Sequence, residues 1–552
     1  MSSPSERPIE PSNPNTNTNI DIDIDIETNP VEPKDNNAEE TREARDNEIE
    51  FRPWSQLPIY FALGLGVFIL GLDNTIVGTA TPTLTNEFHA LNDIGWYGSA
   101  YRLTTCSTQF LFGKLYTQFR VKWVLVSAVI ILEIGSVLSA AANYSAVFIV
   151  GRAIAGCGAA GILNGVLIAI SHTVPLRLRP IFNSTVGGLE CIAMIVAPVI
   201  GGALTTYVSW SFYINLPIGG FTLIVITFLF RNPATQRITP QPALQKLKQL
   251  NIPSLSIFTG SIVCLLLALQ LGGTTYPWNS ARVIVCLVMA GISFAVFLVH
   301  EILRKDAATI PRSVVLNRTA GLCLLYAFAS SVAFNVIDYF LPLWFQSIKG
   351  TTAASSGLSL LPSIIPLSLA AISSGFILSI VGYYTSLMLL GSAMTSIGFG
   401  FLTTFSTETD KSAWIGWQVL LSLGLGLSFP MPWTAIQVAL ENKDIPIAMA
   451  GIGFSIALGG AVSVSIAQNI FTNLLSNGLS NVSGIDVDEI IGQGATGFLD
   501  SVSPESRDAV LGVYNAAVTR CFWMGVVAAI IGFCAAVGMD RKSVRKDRGK
   551  NE

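Results

Sequence analysis

From about residue 57 to about residue 537 the chain repeats one pattern: a run of about twenty apolar residues, a short polar break, then another run. A bilayer core offers no water to backbone N–H and C=O groups, so runs of this length must close their hydrogen bonds internally, as helices. The expectation is an all-α polytopic membrane protein. About fourteen candidate spans fall near 58–80, 96–116, 123–142, 146–170, 182–206, 210–230, 254–271, 280–300, 319–343, 355–377, 384–405, 413–435, 448–474 and 514–537. Apolar residues make up 51% of the chain and charged residues 12%, where soluble domains carry about 25% charge.

The loops divide by charge. Alternate breaks hold Lys114, Arg120 and Lys122, then Arg177 and Arg179, Arg231 to Lys248, Arg304 to Arg318, Lys443, and the tail from Arg541 to Lys550. The others hold only Arg282, Lys349, Lys411, Arg507 and Arg520. The positive-inside rule then puts both termini in the cytoplasm, which requires an even number of spans. Residues 1–56 are polar, with DIDIDI at 21–26, and are expected to be disordered. No cleavable signal peptide is expected, so the first span must carry the targeting. The loop at about 475–513 falls outside, and its sequon at Asn481 is the expected glycosylation site. All eight cysteines lie in apolar runs with no CxxC pair; buried thiols are expected, with no metal.

Some charges sit inside the runs. Arg152 lies early in VFIVGRAIAGCGAAGILNGVLIAI, beside a four-residue spacing of small residues, Gly151, Ala155, Ala159 and then Gly161, Gly165. An arginine in a span costs about 2.5–3.5 kcal/mol on insertion scales and therefore faces a bundle interior and a partner. At 1.5 Å per residue, Asp73, Arg102 and Arg152 sit roughly 9–11 Å below the outer face, with Glu133 a little deeper. The expectation is one shared polar chamber in which Asp73 and Arg152 form a proton-coupling pair supported by Glu133 and Arg102. An inert neutral cluster that fixes packing is the alternative. Glu190 is expected toward the cytoplasmic end of its span, and Asp338 is either a substrate contact or a helix-end charge.

Several motifs, taken in order, resemble the major facilitator superfamily, specifically its fourteen-span drug:proton antiporters and the fungal toxin and secondary-metabolite efflux pumps. They are Leu72-Asp73-Asn74-Thr75-Ile76-Val77 with Pro82; Gly113-Lys114-Leu115-Tyr116-Thr117 ending in Lys122-Trp123; Gly151-Arg152 through Gly156 and Gly161; Pro198-Val199-Ile200-Gly201-Gly202; Phe212 to Gly220; Gly272 to Trp278; and Phe345-Gln346 with Lys349-Gly350. The likeness spans about residues 55–475. It implies a proton-coupling role for the fourth-span motif and an antiporter role for Pro198, Gly201 and Gly202. Physically, that proline removes a helix hydrogen bond beside two close-packing glycines. Gly113 and Lys122 bracket a short turn that either latches spans 2 and 3 against the other half or merely sets topology. Asn215-Leu216-Pro217 is read as a helix bend. There are departures: Thr117 stands where an aspartate is usual, Ala197 where a glycine is common, Ser209 where an arginine is common, and Arg102 where relatives have an apolar residue. Arg102 is a pointer toward anionic substrates.

The resemblance implies a fold of two six-helix bundles with two inserted helices, alternating access, and a substrate site near the midplane. The expected division is 1–56 tail, 57–230 first bundle, 231–318 linker with the two extra spans, 319–537 second bundle and 538–552 basic tail. Expected partners are a small molecule, protons and the bilayer; a monomer in the plasma membrane is expected, with no nucleic acid and no cofactor. The expected function is proton-coupled export of a small hydrophobic or amphipathic compound. Tyr97, Gln109, Phe334, Asn335, Asp338 and Trp433 are the candidate cavity lining. Uptake or exchange of a metabolite such as a siderophore is the alternative. An integral-membrane enzyme would need a catalytic cluster and a channel a repeated filter sequence, and neither is present; nor is a GxxxxGK[ST] loop for ATP.

Overall fold

The computed structural model describes residues 53–88, 93–204, 212–230, 250–273, 276–304, 308–482 and 504–544. Three short helices occur there (Arg312–Val315, Ala353–Ser359 and Met431–Ala439), and fourteen longer ones follow the expected spans. These are α1 Pro53–Phe88, α2 Ile94–Gln118, α3 Val121–Ala140, α4 Ser145–Thr173, α5 Arg179–Leu204, α6 Asn215–Phe228 and α7 Ile252–Leu271. They continue as α8 Ala281–Leu303, α9 Arg318–Ser347, α10 Leu361–Val381, α11 Tyr384–Leu402, α12 Lys411–Ser428, α13 Ile445–Leu479 and α14 Pro504–Gly538. Among the described residues, twelve helices are long and apolar enough to cross a membrane, counting α12 with Met431–Ala439 as one. The two left over are α2, which is long but carries Arg102, Lys114 and a run of hydroxyls, and α6, which is 14 residues long.

Packing repeats with a shift of eight helices. In the first bundle α3 packs on α4, α1 on α5, α2 on α4 and α3 on α6; in the second, α11 packs on α12, α9 on α13, α10 on α12 and α11 on α14. The contacts joining the bundles, α2 on α13 and α10 on α5, exchange under the same shift. The fold is thus two six-helix bundles, with α7 and α8 paired together and α7 set against α2. An aromatic group formed by Phe110, Phe258 and Phe454 seats α7 where α2 meets α13, with ring centroids 5.2–5.4 Å apart.

Small residues let α4 lie close to two neighbours at once. A Cβ on Gly158 would sit 2.4 Å from the Leu132 nitrogen of α3, and one on Gly156 would meet Tyr101 and Thr104 of α2. The stripe read in the sequence is therefore two stripes. Gly151, Ala155 and Gly158 face α3, Gly156 faces α2, and Gly161 and Gly165 lie where both neighbours meet α4.

The bundles close on each other at the end that carries the α2–α3 turn, called here the basic end. There Gly113 lies against Ala450 and Pro446, Gly375 against Pro180 and Ile181, and the Ser184 and Ser374 hydroxyls are 3.1 Å apart. Asp540, just past α14, ties the same end together by accepting from Thr319 Oγ1 at 2.9 Å, while its carbonyl accepts from Tyr384.

Several expected boundaries shift. α13 runs on to Leu479 and α14 begins at Pro504, so the intervening loop is shorter than 475–513. Helix α10 starts at Leu361 because residues 353–359 form a separate short helix with Thr352 as its N-cap. Residues 1–52, including the acidic repeat, and 483–503 lie outside the described residues. The cysteines are all free thiols, but only Cys106, Cys323 and Cys521 are buried and Cys534 is exposed, because helices at the rim turn part of their apolar surface outward.

Candidate functional site

Asp73 of α1 and Arg152 of α4 meet inside the first bundle, both essentially inaccessible, with Nη1 2.7 Å from Oδ2. The pair is held from every side. Arg152 Nη2 also donates to the Asp73 carbonyl at 3.3 Å, and its Nε to the Tyr97 carbonyl at 3.3 Å. The guanidinium plane lies 4.5 Å from the Tyr101 ring centre and 5.8 Å from that of Phe212. The other carboxylate oxygen of Asp73 accepts from Asn215 Nδ2 at 3.0 Å, and the same nitrogen lies 3.3 Å from Ser136 Oγ. Opposite charges with their remaining donors and acceptors occupied are the condition under which a buried ion pair is tolerated.

Asn215 is the residue that sequence reasoning missed. Its sequence context points only to a helix bend, yet it is fully buried and bonded to the carboxylate. The available signal was its position as the first residue of α6 among apolar neighbours, where a buried amide needs a partner.

Of the four charges expected to share one chamber, Glu133 and Arg102 make no direct bond to the Asp73–Arg152 pair among the described residues. Glu133 stays on the α3–α6 seam, its carboxylate pressed where a Cβ on Gly219 would stand. Neither of its oxygens has a hydrogen-bond partner among the described residues. Thr222 Oγ1 and Asn215 Oδ1 on the facing helix are likewise without partners. Helical spacing explains the split: Ser136, one turn from Glu133, is what meets Asn215. Arg102 points the other way, out of the first bundle, and donates to Asn335 Oδ1 of α9 at 3.3 Å.

The remaining candidates divide between two places. Asn335, Gln109 and Asp338 lie where the bundles face each other. Gln109 accepts from Asn164 Nδ2 at 2.7 Å and abuts Gly453 of α13. Asp338 lies one turn beyond Asn335 on the same side of α9, with its side chain exposed. Phe334 is half-buried beside Phe429. Trp433 is buried in the core that joins the bundles. Tyr97 does not line a cavity: it is fully buried inside the first bundle, edge-on to Phe148 at 5.1 Å, with its hydroxyl donating to Ser145 at 3.2 Å. Glu190 lies nearer the basic end of α5, as expected, but well inside the helix. It sits on the face of Asn183 and Gly187, which meet Thr434 and Pro430 of the second bundle.

On either side of the α2–α3 turn, Lys122 of α3 rests over the ring of its neighbour Trp123, whereas Lys114 of α2 makes the distant contact, donating to the Ala308 carbonyl at 2.7 Å. Pro198, Gly201 and Gly202 fall in the last turns of α5, and their surroundings lie outside the described residues. Asn481 is exposed just past α13. In the turn before α13, a hydrogen bond from the exposed Lys443 to Glu441 raises the lysine pKa. No group of three or more metal-ligating side chains occurs among the described residues.

Two six-helix halves, with a charge pair sealed in one and polar side chains where the halves meet, make the architecture of a membrane transporter. The chain belongs to the major facilitator superfamily, and within it to the efflux-pump-type transporters. The sequence model of the Major Facilitator Superfamily matches residues 63–464. The chain is 41% identical over 490 residues to "MFS-type efflux pump MFS1" of Arthroderma benhamiae, covering 88% of this chain and 91% of that one. It is also 41% identical over 494 residues to "Efflux pump aflT" of Aspergillus parasiticus, covering 89% and 96%. Among solved structures, the proton:xylose symporter XylE superposes with a TM-score of 0.56 at 14% identity, over 86% of this chain and 94% of that one. That likeness concerns the fold.

Proposed function

We propose that this protein exports a small hydrophobic or amphipathic compound, such as a toxin, secondary metabolite or drug, in exchange for protons moving inward. Membership of the efflux-pump group supports the direction. The observation that carries the coupling is the 2.7 Å pair between Asp73 and Arg152, sealed by Asn215.

The pair works as a charge switch. With Asp73 ionised, α1 and α4 are bound together by an attraction that low dielectric strengthens. A proton arriving on the carboxylate forms the neutral acid, and the guanidinium loses the anion that held it. Breaking such a buried pair costs about 3–5 kcal/mol, enough to favour another arrangement of the two helices. Glu133, one turn deeper along α3 and without a partner, is the second proton carrier. Its oxygens, Asn215 Oδ1 and Thr222 Oγ1 form a seam of polar atoms without hydrogen-bond partners among the described residues, the kind of buried polar site that water fills in proteins. The bundles meet at the basic end, which the positive-inside rule assigns to the cytoplasm; that supports reading this conformation as outward-facing. The protein acts as a monomer in the plasma membrane, with both termini cytoplasmic and Asn481 glycosylated outside.

The test is transport of an amphipathic dye into inside-out vesicles carrying the protein. An acid interior should drive uptake, and collapse of the gradient by a proton ionophore should abolish it. Uptake that is indifferent to the ionophore would rule out proton exchange.

A further inference from the structure

We propose that Arg102 is a docking point for an anionic oxygen on the transported molecule: a carboxylate, or an ionised enol or phenol. The inference rests on the transport reading above and names the chemistry of what the gap between the bundles accepts.

Arg102 and Arg152 differ in how their charge is met. Arg152 has a carboxylate at 2.7 Å and further acceptors in its own bundle. Arg102 has one neutral acceptor, Asn335 Oδ1, at 3.3 Å, and among the described residues no carboxylate lies within ion-pair distance of it. A guanidinium carries five N–H donors in a planar fork matched to two oxygens of one ligand. Most of that fork is unused here, well inside the membrane-spanning part of α2, where an unmet charge is costly. Asn335 is not free to follow the arginine, because its own amide donates to the Ser331 carbonyl at 2.9 Å.

The Arg102 side chain is itself only partly buried. Asp338, on the same face of α9, keeps accessible surface and is within electrostatic range of Arg102. Glu190 of α5 and Arg152 share with Arg102 the neighbourhood of Tyr101. Asp338 and Glu190 oppose an anion from a distance, while the guanidinium receives it by direct contact, and charge-assisted bidentate bonds are the stronger effect. Arg102 therefore selects acidic cargo, and Asp338 sets how acidic that cargo must be.

The test is equilibrium binding to purified protein with no pH gradient, so it is independent of proton coupling. The probes are three aromatic carboxylic acids of increasing ring number and their methyl esters. Wild type should bind at least one acid more tightly than its ester. Arg102→Gln should weaken that acid about tenfold, leaving the ester unchanged. Arg102→Lys, which keeps the charge without the fork, should fall between. Asp338→Asn should tighten the acid severalfold, a change that a purely structural Arg102 would not produce. If no acid is preferred over its ester, if Arg102→Gln weakens acid and ester alike, or if Asp338→Asn leaves acid binding unmoved, the assignment is overturned.

Discussion

At the level of single residues, the informative contrast is between two arginines that look alike in sequence. Both sit at similar depth in apolar surroundings, and depth is what residue spacing gives. Direction is not: Arg152 turns inward to Asp73, whereas Arg102 turns outward to Asn335. Pairing of Asp73 with Arg152 was legible because a buried charge requires a partner and few acids lay at that depth. Asn215 was not legible, because an amide at a helix start has a local use as well as a distant one. It yields a direct prediction. Asn215→Leu removes a hydrogen bond to a charged group, worth about 1.5–3 kcal/mol. Gradient-driven transport should fall about tenfold or more, with the protein still folded by circular dichroism. Transport at the wild-type rate would show that the amide is idle.

Individual helices show where periodicity suffices. The apolar runs located every one of the fourteen long helices, but only half of them to within about three residues at both ends, because length and hydropathy decide whether a segment crosses a bilayer and not where its helix stops. The small-residue spacing on α4 announced close packing but could not say against what. Two neighbours, α3 and α2, share the glycines between them. Gly158→Val would place atoms 2.4 Å from the Leu132 nitrogen and 2.7 Å from the Ala128 carbonyl. Neither is the end of a flexible side chain, so the helices must separate, at a cost of about 1–3 kcal/mol or more. Gly291→Val on α8, where an added Cβ meets nothing within 4 Å, is the matched control. Thermal unfolding in detergent should show a clear drop for the first and little change for the second. Equal behaviour would mean that the α3–α4 contact contributes nothing to stability.

For the whole molecule, the arrangement of the bundles came from the ordered motifs and their resemblance. The surfaces that meet between bundles did not, because they join residues nearly two hundred positions apart. Ser184 and Ser374 are 3.1 Å apart across that junction, and neither stands out in its own helix. If the bundles must part there for transport, Ser184→Cys with Ser374→Cys should stop transport when oxidised and restore it when reduced. Transport that continues through the crosslink would mean that this junction stays shut throughout the cycle. The central claim, that Asp73 couples the cycle to protons through Arg152, is tested most directly by Asp73→Asn in proteoliposomes. Two readouts are compared: substrate exchange at equal concentration, and accumulation driven by a pH gradient. The account predicts that exchange continues while gradient-driven accumulation disappears; full accumulation in Asp73→Asn would contradict it.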